Sequence, residues 1–291
     1  MSKPKSLLLA HRLSQRKILI VGGGEVAYTR LLKLDQTDCI IYLVSPAVTP
    51  EIQTKFVDTG RITWLEKLYS INDLYLCWRD LQPEQTSVTE GLDSLSLATP
   101  NIQDLGSKTF EQLKELHEAQ KTKRKQSWAF ILTCLNDHIV SETIYYHSKL
   151  VFPDVPINVA DNPPFCDFYF GANVELGTNG ELQLMISSNG VSPRYTALLK
   201  KEIYKKFGNA EQMSLCVGSL QKLRSGIRVI TPGKAAHDIE FRMSWVTRVT
   251  DAFGLEGCAT MDADKLLVLY KEMFETKSLD FPADLVEQYS Q

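Results

Sequence analysis

The stretch Lys17-Ile18-Leu19-Ile20-Val21-Gly22-Gly23-Gly24-Glu25-Val26-Ala27 decides the fold of this chain. Its apolar beginning predicts a buried strand, the glycines predict a tight turn, and residues 25–34 predict a helix. A strand, a glycine turn and a helix in this order begin a dinucleotide-binding unit. Gly22 permits the turn, Gly24 leaves room for a pyrophosphate against the backbone, and Ala27 lets the helix pack on the strand.

The N-terminus of that helix would offer free N–H groups and a partial positive charge to a phosphate. An alternative, a strand-to-helix turn that binds no ligand, stays open because a single glycine fingerprint is a weak signal. The matching strand and helix on either side favour the cofactor. We therefore predict that Gly22 and Gly24 contact a dinucleotide.

The composition indicates a globular chain without a strongly charged partner. The 291 residues are 44% hydrophobic and carry a formal net charge of −3, which favours neither nucleic acid nor a membrane as partner. The longest apolar run, residues 128–135, is too short to span a bilayer, and residues 1–5 lack the apolar core of a secretion signal. The six cysteines are dispersed without a CxxC pair, so we expect reduced thiols and a cytoplasmic protein. The length of 291 residues predicts two or three structural units.

Further strands of an α/β fold with a Rossmann-type parallel sheet are predicted along the first half of the chain. They lie at residues 39–44, 61–65, 74–78, 128–134 and 157–160. Ligands of such sheets bind at the carboxyl ends of the strands. Leu81, Cys134 and Asn136 lie at or just beyond such ends, so we predict that adenine or nicotinamide passes them.

Ser45 stands about 20 residues beyond the first glycine, where the fingerprint places a ribose-binding residue. An acidic residue there normally selects NAD, and a nearby arginine accommodates the 2′-phosphate of NADP. A serine hydroxyl can bond the ribose, but it can equally cap the turn before Pro46. The residues therefore leave open both the contact and the choice between NAD and NADP.

Residues 82–126 are predicted to be an insertion into the nucleotide-binding domain, mostly polar and without a sustained hydrophobic period. A helix is expected at 110–119. The basic run at 121–125 indicates a solvated linker rather than a nucleic-acid contact, because no aromatic residues interleave with it.

After Ala160 the pattern changes to a small α+β region and then to helices. Strands are predicted at 168–170 and 181–187, and helices at 193–207, 211–224, 235–253 and 262–275. Ser192 is a predicted N-cap with Pro193 at the first helical position. This helix start, with Arg194 beside it, predicts an anion site, although a capped helix with a solvated basic face explains the same residues equally well.

Asp161 is the first ionisable residue after the last strand of the predicted sheet, on the side where a nicotinamide should lie. A carboxylate there could take a proton from a substrate or attract a metal cation. It could also form an Asx turn, and spacing alone slightly favours the turn. The five histidines are dispersed and show no metal-site spacing.

The chain resembles the siroheme synthase family in four segments. They are Gly22-Gly23-Gly24-Glu25-Val26-Ala27, Leu43-Val44-Ser45-Pro46, Asn158-Val159-Ala160-Asp161 with Phe165-Cys166-Asp167-Phe168, and Ser188-Asn189-Gly190-Val191-Ser192-Pro193-Arg194. The greatest similarity is to the fungal bifunctional enzymes that are both precorrin-2 dehydrogenase and sirohydrochlorin ferrochelatase. It covers nearly the whole chain, and residues 82–126 are the least alike.

The resemblance implies NAD-dependent oxidation of precorrin-2 to sirohydrochlorin, followed by insertion of Fe²⁺ to give siroheme. It implies three domains. Residues 1–157 would bind NAD, residues 158–208 would supply the active-site region and much of a homodimer interface, and residues 209–291 would form a helical domain.

The resemblance also implies roles for individual residues. The family's essential aspartate corresponds to Asp161, which would be the general base of both steps and would meet Fe²⁺ only transiently. The family's NAD contacts correspond to the loop at 22–26, including Glu25 and Val26, and to Ser45, with Leu81 a looser match.

The tetrapyrrole substrate would be bound by Asn158, Ser192 and Arg194. It carries many carboxylates, which the Arg194 guanidinium could bind. Gly257 and Ala259 replace a histidine pair of some relatives, which argues against a histidine metal site there. Two other functions stay open. One is a dehydrogenase that leaves iron insertion to another protein, and the other is a non-catalytic NAD-sensing module whose helical end binds a partner.

Overall fold

The computed structural model describes residues 6–81, 108–115, 127–189 and 191–291. Contacts group these residues into two compact units, Leu9–Tyr169 and Phe170–Gln291, the latter together with residues 6–8. Most of the predicted insertion at 82–126 lies outside the described residues, as do the basic run within it and Gly190. The division into domains at residues 157 and 208 stays a prediction.

The first unit is built on a parallel five-stranded sheet. In chain order its strands are β1 (Lys17–Val21), β2 (Ile40–Ser45), β3 (Thr63–Glu66), β4 (Trp128–Thr133) and β5 (Ile157–Val159). They lie in the order β3-β2-β1-β4-β5, and every neighbouring pair is parallel. This is the strand order of a Rossmann-type sheet, so the predicted fold class is confirmed.

Within the described residues, α-helices lie between these strands. They are α1 (Glu25–Leu34), α2 (Pro50–Ile52), which continues as a π-helical turn at Gln53–Val57, and α3 (His138–Val151). A further helical turn covers residues 110–115, in the described part of the helix expected at 110–119. Asp137 caps the N-terminus of α3, because its Oδ1 accepts the Val140 N–H at 3.0 Å.

Burial explains why β1 lies at the centre of the sheet. All of its residues are buried, and even Lys17 finds a partner, because its Nζ donates to Cys77 O at 2.7 Å. A strand that is covered on both faces has a continuous apolar sequence, as residues 18–21 do. On one face α1 packs with Ala27, Leu31 and Leu34 buried, so Ala27 has the packing role that the sequence predicts.

The segment 74–78 is not the strand that its apolar run predicts. It belongs to a 3₁₀ helix, Ile71–Leu81. Side chains that are distant in sequence donate to its carbonyls: Trp128 Nε1 to Leu74 O at 2.7 Å, and Lys17 Nζ to Cys77 O. Because these bonds satisfy buried carbonyl groups, the segment needs no neighbouring strand.

The second unit begins with an antiparallel hairpin of β6 (Ala172–Leu176) and β7 (Leu182–Ile186). The strand predicted at 168–170 is wrong, since the first strand of the hairpin starts at Ala172. The reason is a competing contact: Asn158 Nδ2 donates to Phe168 O at 2.9 Å and holds this segment beside β5.

Helices fill the remainder of the second unit. They are α4 (Pro193–Phe207), α5 (Ala210–Ile230), α6 (Ala236–Gly257), α7 (Ala263–Thr276) and the short α8 (Leu285–Gln288). Ser192 Oγ accepts the Tyr195 N–H at 3.3 Å, which confirms the predicted N-cap of α4. In the described part of the chain no helix is long and apolar enough to cross a membrane.

Aromatic packing forms the core of the helical bundle. Trp245 and Tyr270 are fully buried with ring centroids 5.1 Å apart, and the Tyr270 hydroxyl shares a 2.6 Å hydrogen bond with Thr231 Oγ1. Met243 of α6 is 66% exposed, whereas Trp245 faces the core. Burial of the indole ring therefore sets the orientation of this helix.

Two glycines of α5 test the packing of the bundle. A Cβ at Gly226 would lie 2.5 Å from Leu267 Cδ1, whereas a Cβ at Gly218 would meet no atom within 4 Å. Gly218→Ala should raise the free energy of unfolding by about 0.5–1 kcal/mol through helix propensity. Gly226→Ala should lower it by about 1–2 kcal/mol, because overpacking exceeds the same propensity gain. Urea denaturation measures both, and equal effects of the two substitutions would contradict the close approach of α5 and α7.

Candidate active site

The glycine loop joins β1 to the neighbouring strands. The Gly22 N–H donates to Val44 O at 2.9 Å, and the Cys134 N–H donates to Val21 O at 2.7 Å. Gly22 has a φ of 110°, and a Cβ at this position would overlap the Cys134 carbonyl group. Only glycine combines this backbone conformation with so close an approach, so the chain turns here as the fingerprint predicts.

The next two glycines differ in what surrounds them. A Cβ at Gly23 would overlap Ala47 O and lie 2.9 Å from Ser45 Oγ, so this residue packs against the end of β2. A Cβ at Gly24 would meet nothing within 4 Å, and Gly24 is exposed at the N-cap of α1 without a side chain that caps the helix. Glu25, which is exposed, and the half-buried Val26 form the first turn beside it. This arrangement offers backbone N–H groups to an anion.

Ser45 ends β2 with its hydroxyl engaged. The side chain is buried, and Oγ donates to Ala47 O at 2.6 Å, while Trp64 Nε1 donates to Ser45 O at 3.0 Å. This is the turn-capping role that the sequence left as an alternative. Because Oγ can still accept a hydrogen bond, a contact with the ribose stays a prediction.

Asp161 follows β5 at the same carboxyl edge of the sheet. The Ala160 N–H donates to Thr133 O at 3.0 Å, which extends the pairing of β4 and β5 up to this residue. Asp161 is exposed and has a φ of 56°, a left-handed conformation that is uncommon for residues other than glycine, asparagine and aspartate. The Asn162 N–H donates back to Val159 O at 3.3 Å and closes the turn that presents the carboxylate.

Side-chain hydrogen bonds hold the loop that carries Asp161. The buried Asn158 donates from Nδ2 to Phe168 O at 2.9 Å and to Cys166 Sγ at 3.4 Å. Asp167 Oδ2 accepts the Ile157 N–H at 2.8 Å and Lys149 Nζ at 2.6 Å. The Asn158 amide is therefore occupied by the loop, and its predicted contact with the substrate stays a prediction.

Cys134 contributes its backbone to the site. Its side chain is buried, and burial raises the pKa of the thiol to about 12. The thiol is thus uncharged near neutral pH. A contact between Cys134 and the cofactor would therefore involve the backbone of this residue rather than a thiolate. Leu81 ends the 3₁₀ helix Ile71–Leu81, and its predicted role is likewise untested.

Arg30 is a charged residue of this region that the sequence motifs do not single out. It lies on α1, its Nε atom is fully buried, and Cys134, Asp161 and Cys166 lie near enough to influence the pKa of its guanidinium. Burial lowers the pKa of Arg30, and these three groups oppose that shift. One signal could have found it: Arg30 follows Ala27 by one helical turn, on the side of α1 that faces the sheet.

Ser192 and Arg194 belong to the second unit. Ser192 caps α4, and Arg194 is exposed in the first turn of that helix. Their predicted contact with substrate carboxylates stays a prediction. Over the described residues, no group of three or more His, Cys, Asp or Glu side chains is arranged to hold a metal ion.

Family models match the chain in three segments. A model described as putative NAD(P)-binding matches residues 9–172, which include the whole parallel sheet. A model of the sirohaem biosynthesis protein central region matches residues 179–205, and one of its C-terminal region matches residues 211–279.

Individual proteins are similar over most of the chain. A siroheme biosynthesis protein of Saccharomyces cerevisiae is 37% identical over 286 residues, which are 96% of this chain and 95% of that protein. A siroheme biosynthesis protein of Schizosaccharomyces pombe is 27% identical over 88% of this chain and 75% of its own length. The solved structure of SirC, a precorrin-2 dehydrogenase, shares the fold with a TM-score of 0.58 and 18% identity, covering 92% of this chain and 99% of its own. The identity to the Saccharomyces protein over nearly the full length of both chains shows that this chain belongs to the siroheme synthase family.

Proposed function

We propose that this chain carries out two consecutive steps of siroheme biosynthesis. In the first, precorrin-2 is oxidised to sirohydrochlorin with NAD as the hydride acceptor, and in the second, Fe²⁺ enters sirohydrochlorin to give siroheme. One observation carries the proposal: the open glycine loop at Gly24 and the exposed carboxylate of Asp161 lie at the same carboxyl edge of one parallel sheet. We infer these two reactions from membership of the family, whose Saccharomyces member is named a siroheme biosynthesis protein.

The glycine loop has the properties that a pyrophosphate requires. Gly24 has open space where a side chain would stand, and α1 begins there without a competing side-chain cap. Gly22, Glu25 and Val26 would contribute backbone, and Ser45 would face the adenosine ribose. When bound, NAD supplies a hydride acceptor for the macrocycle. Ser45 is uncharged, so it does not itself select NAD over NADP. The choice of NAD is therefore part of the proposal and comes from the family resemblance.

Asp161 would serve both reactions as the general base. Oxidation of precorrin-2 removes a hydride and a proton, and a carboxylate at the cleft edge can accept that proton. Insertion of Fe²⁺ displaces two N–H protons from sirohydrochlorin, and the same carboxylate can take them in turn. Fe²⁺ is a substrate in this scheme, so a transient encounter near Asp161 suffices and a cage of protein ligands is not required.

A homodimer would cover the apolar surface of the second unit. On α4, Tyr195, Leu198 and Leu199 are 68%, 45% and 41% exposed. On β7, Leu184 and Met185 are also exposed, and this strand pairs only with β6 among the described residues. Surfaces of this kind mark interaction sites, and the segment falls in the region that the family resemblance assigns to dimerisation.

The proposed function is tested by supplying precorrin-2, NAD and Fe²⁺ and following the absorption spectrum through sirohydrochlorin to siroheme. Asp161→Ala should abolish both spectral changes, since the general base is lost, while NAD still binds. Asp154→Ala is the matched control, because Asp154 is an exposed carboxylate before the opposite end of β5. Full activity of Asp161→Ala would contradict the shared base, and a wild-type protein that stops at sirohydrochlorin would be a dehydrogenase only.

Substitution of Gly24 should separate the two reactions. The residue has a φ of −90° and open space around it, and aspartate is a favourable N-cap, so Gly24→Asp should fold with unchanged or higher stability. The new carboxylate would repel the pyrophosphate, so NAD-dependent oxidation should fall by at least about 100-fold while iron insertion into supplied sirohydrochlorin is retained. Equal loss of both activities in a folded protein would show that the glycine loop serves more than the cofactor.

The homodimer is tested at Leu199. Leu199→Asp places a charge in the centre of the exposed apolar surface of α4 and should convert a dimer to a monomer, because burying an unpaired carboxylate opposes association. Light scattering after size-exclusion chromatography gives the molar mass. Val268→Asp is the control, since Val268 is 61% exposed on α7 of the helical bundle. A wild-type monomer, or a Leu199→Asp dimer, would contradict this interface.

A further inference from the structure

We propose that Arg30 is a positioning residue of the candidate active site and orients the Asp161 carboxylate for proton transfer. The inference deepens the proposed function and rests on it, because the proton is the one removed in precorrin-2 oxidation and in iron insertion. It adds a side chain of α1 to a site that is otherwise built from the glycine loop and the loop after β5.

The side chain of Arg30 leans toward the carboxyl edge of the sheet, because α1 begins at that edge and the Cα–Cβ bonds of a helix tilt toward its N-terminus. Ala27 and Leu31, on the sheet-facing side of the helix, are fully buried, and Arg30 stands between them in sequence. Its Nε atom is buried, although the residue as a whole is partly exposed. The inner part of the guanidinium is therefore enclosed by protein rather than by solvent.

The titratable groups that lie near enough to Arg30 to influence its pKa come from the ends of two strands. Cys134 follows β4, and both Asp161 and Cys166 follow β5. Burial raises the pKa of Cys134 to about 12 and also raises the pKa of Cys166, so both side chains are neutral thiols near pH 7. The Asp161 carboxylate is then the anion among these three, and arginine keeps its charge at every pH of interest.

The backbone of Asp161 is fixed, but the orientation of its side chain is not. Its backbone is fixed by the Ala160 and Asn162 N–H bonds, but its carboxylate is exposed and can change rotamer. A cation held by burial on the neighbouring helix favours the rotamers that face it. A displacement of a catalytic group by about 1 Å can lower the reaction rate by the order of 100-fold. A preference for the correct Asp161 rotamer can therefore change the rate measurably.

The experiment compares Arg30→Met with Lys33→Met in the full-length protein. Both remove one positive charge from α1, but only Arg30 is paired with Asp161 in this proposal. Arg30→Met should lower kcat for precorrin-2 oxidation about 10- to 100-fold, with the KM and Kd for NAD unchanged. Arg30→Lys should restore part of the rate, and Lys33→Met should match the wild type. In an Asp161→Asn background, Arg30→Met should have no further effect on the residual rate.

Three results would overturn the role of Arg30. They are an unchanged kcat in Arg30→Met, a loss of NAD affinity as large as the loss of kcat, and an equal effect of Arg30→Met with and without Asp161. Circular dichroism confirms that each variant is folded. If the wild type does not oxidise precorrin-2, the proposed function fails by itself. The pair is then read from thermal unfolding of the single and double variants, where strictly additive shifts in Tm would refute the coupling of Arg30 to Asp161.

Discussion

The close approach of Gly22 to the Cys134 carbonyl is the constraint on which the rest of the first unit depends. β1 pairs with β2 on one side and with β4 on the other, and its hydrogen bonds continue through the glycine loop on both sides. A side chain at Gly22 would push β4 away from β1. Because β5 pairs only with β4 among the described strands, the position of Asp161 is set by the same contact.

The two sides of the candidate site are built on different principles. On the cofactor side the backbone is open, and Gly24 leaves the start of α1 uncapped. On the Asp161 side the backbone is closed, because Asn158 and Asp167 tie the loop back to β5. The left-handed conformation of Asp161 is a local strain that these bonds can support, and strain of this kind is typical of functional turns.

The sequence predicts the parts of this fold whose causes are local. The strand, the glycine turn and the helix at residues 17–34 have the bounds that their residues suggest, because apolar period and glycine chemistry act over a few positions. The segment at 74–78 could not be predicted in this way, because Trp128 and Lys17 supply its hydrogen bonds from elsewhere in the chain. Arg30 was missed for the same reason: Asp161 and Cys166, which influence its pKa, follow β5 and are distant from it in sequence. The roles of Ser45, Asn158 and Arg194 stay predictions, since a fold does not show which polar groups meet a ligand.

The order in which contacts can form has a consequence for folding. β1, α1 and β2 are consecutive in sequence, so their contacts form by closing short loops. Arg61 then holds the connection between α1 and β2, because its guanidinium donates to Leu34 O, Thr37 O and Cys39 O. The pairing of β1 with β4 joins Leu19 to Ile131 and must close a much longer loop, which carries a larger entropic cost. The edge that would receive the dinucleotide therefore exists only once that long-range pairing is complete. A dinucleotide bound at this edge would therefore stabilise the completed sheet. It would not stabilise the folding nucleus, in which the edge has not yet formed.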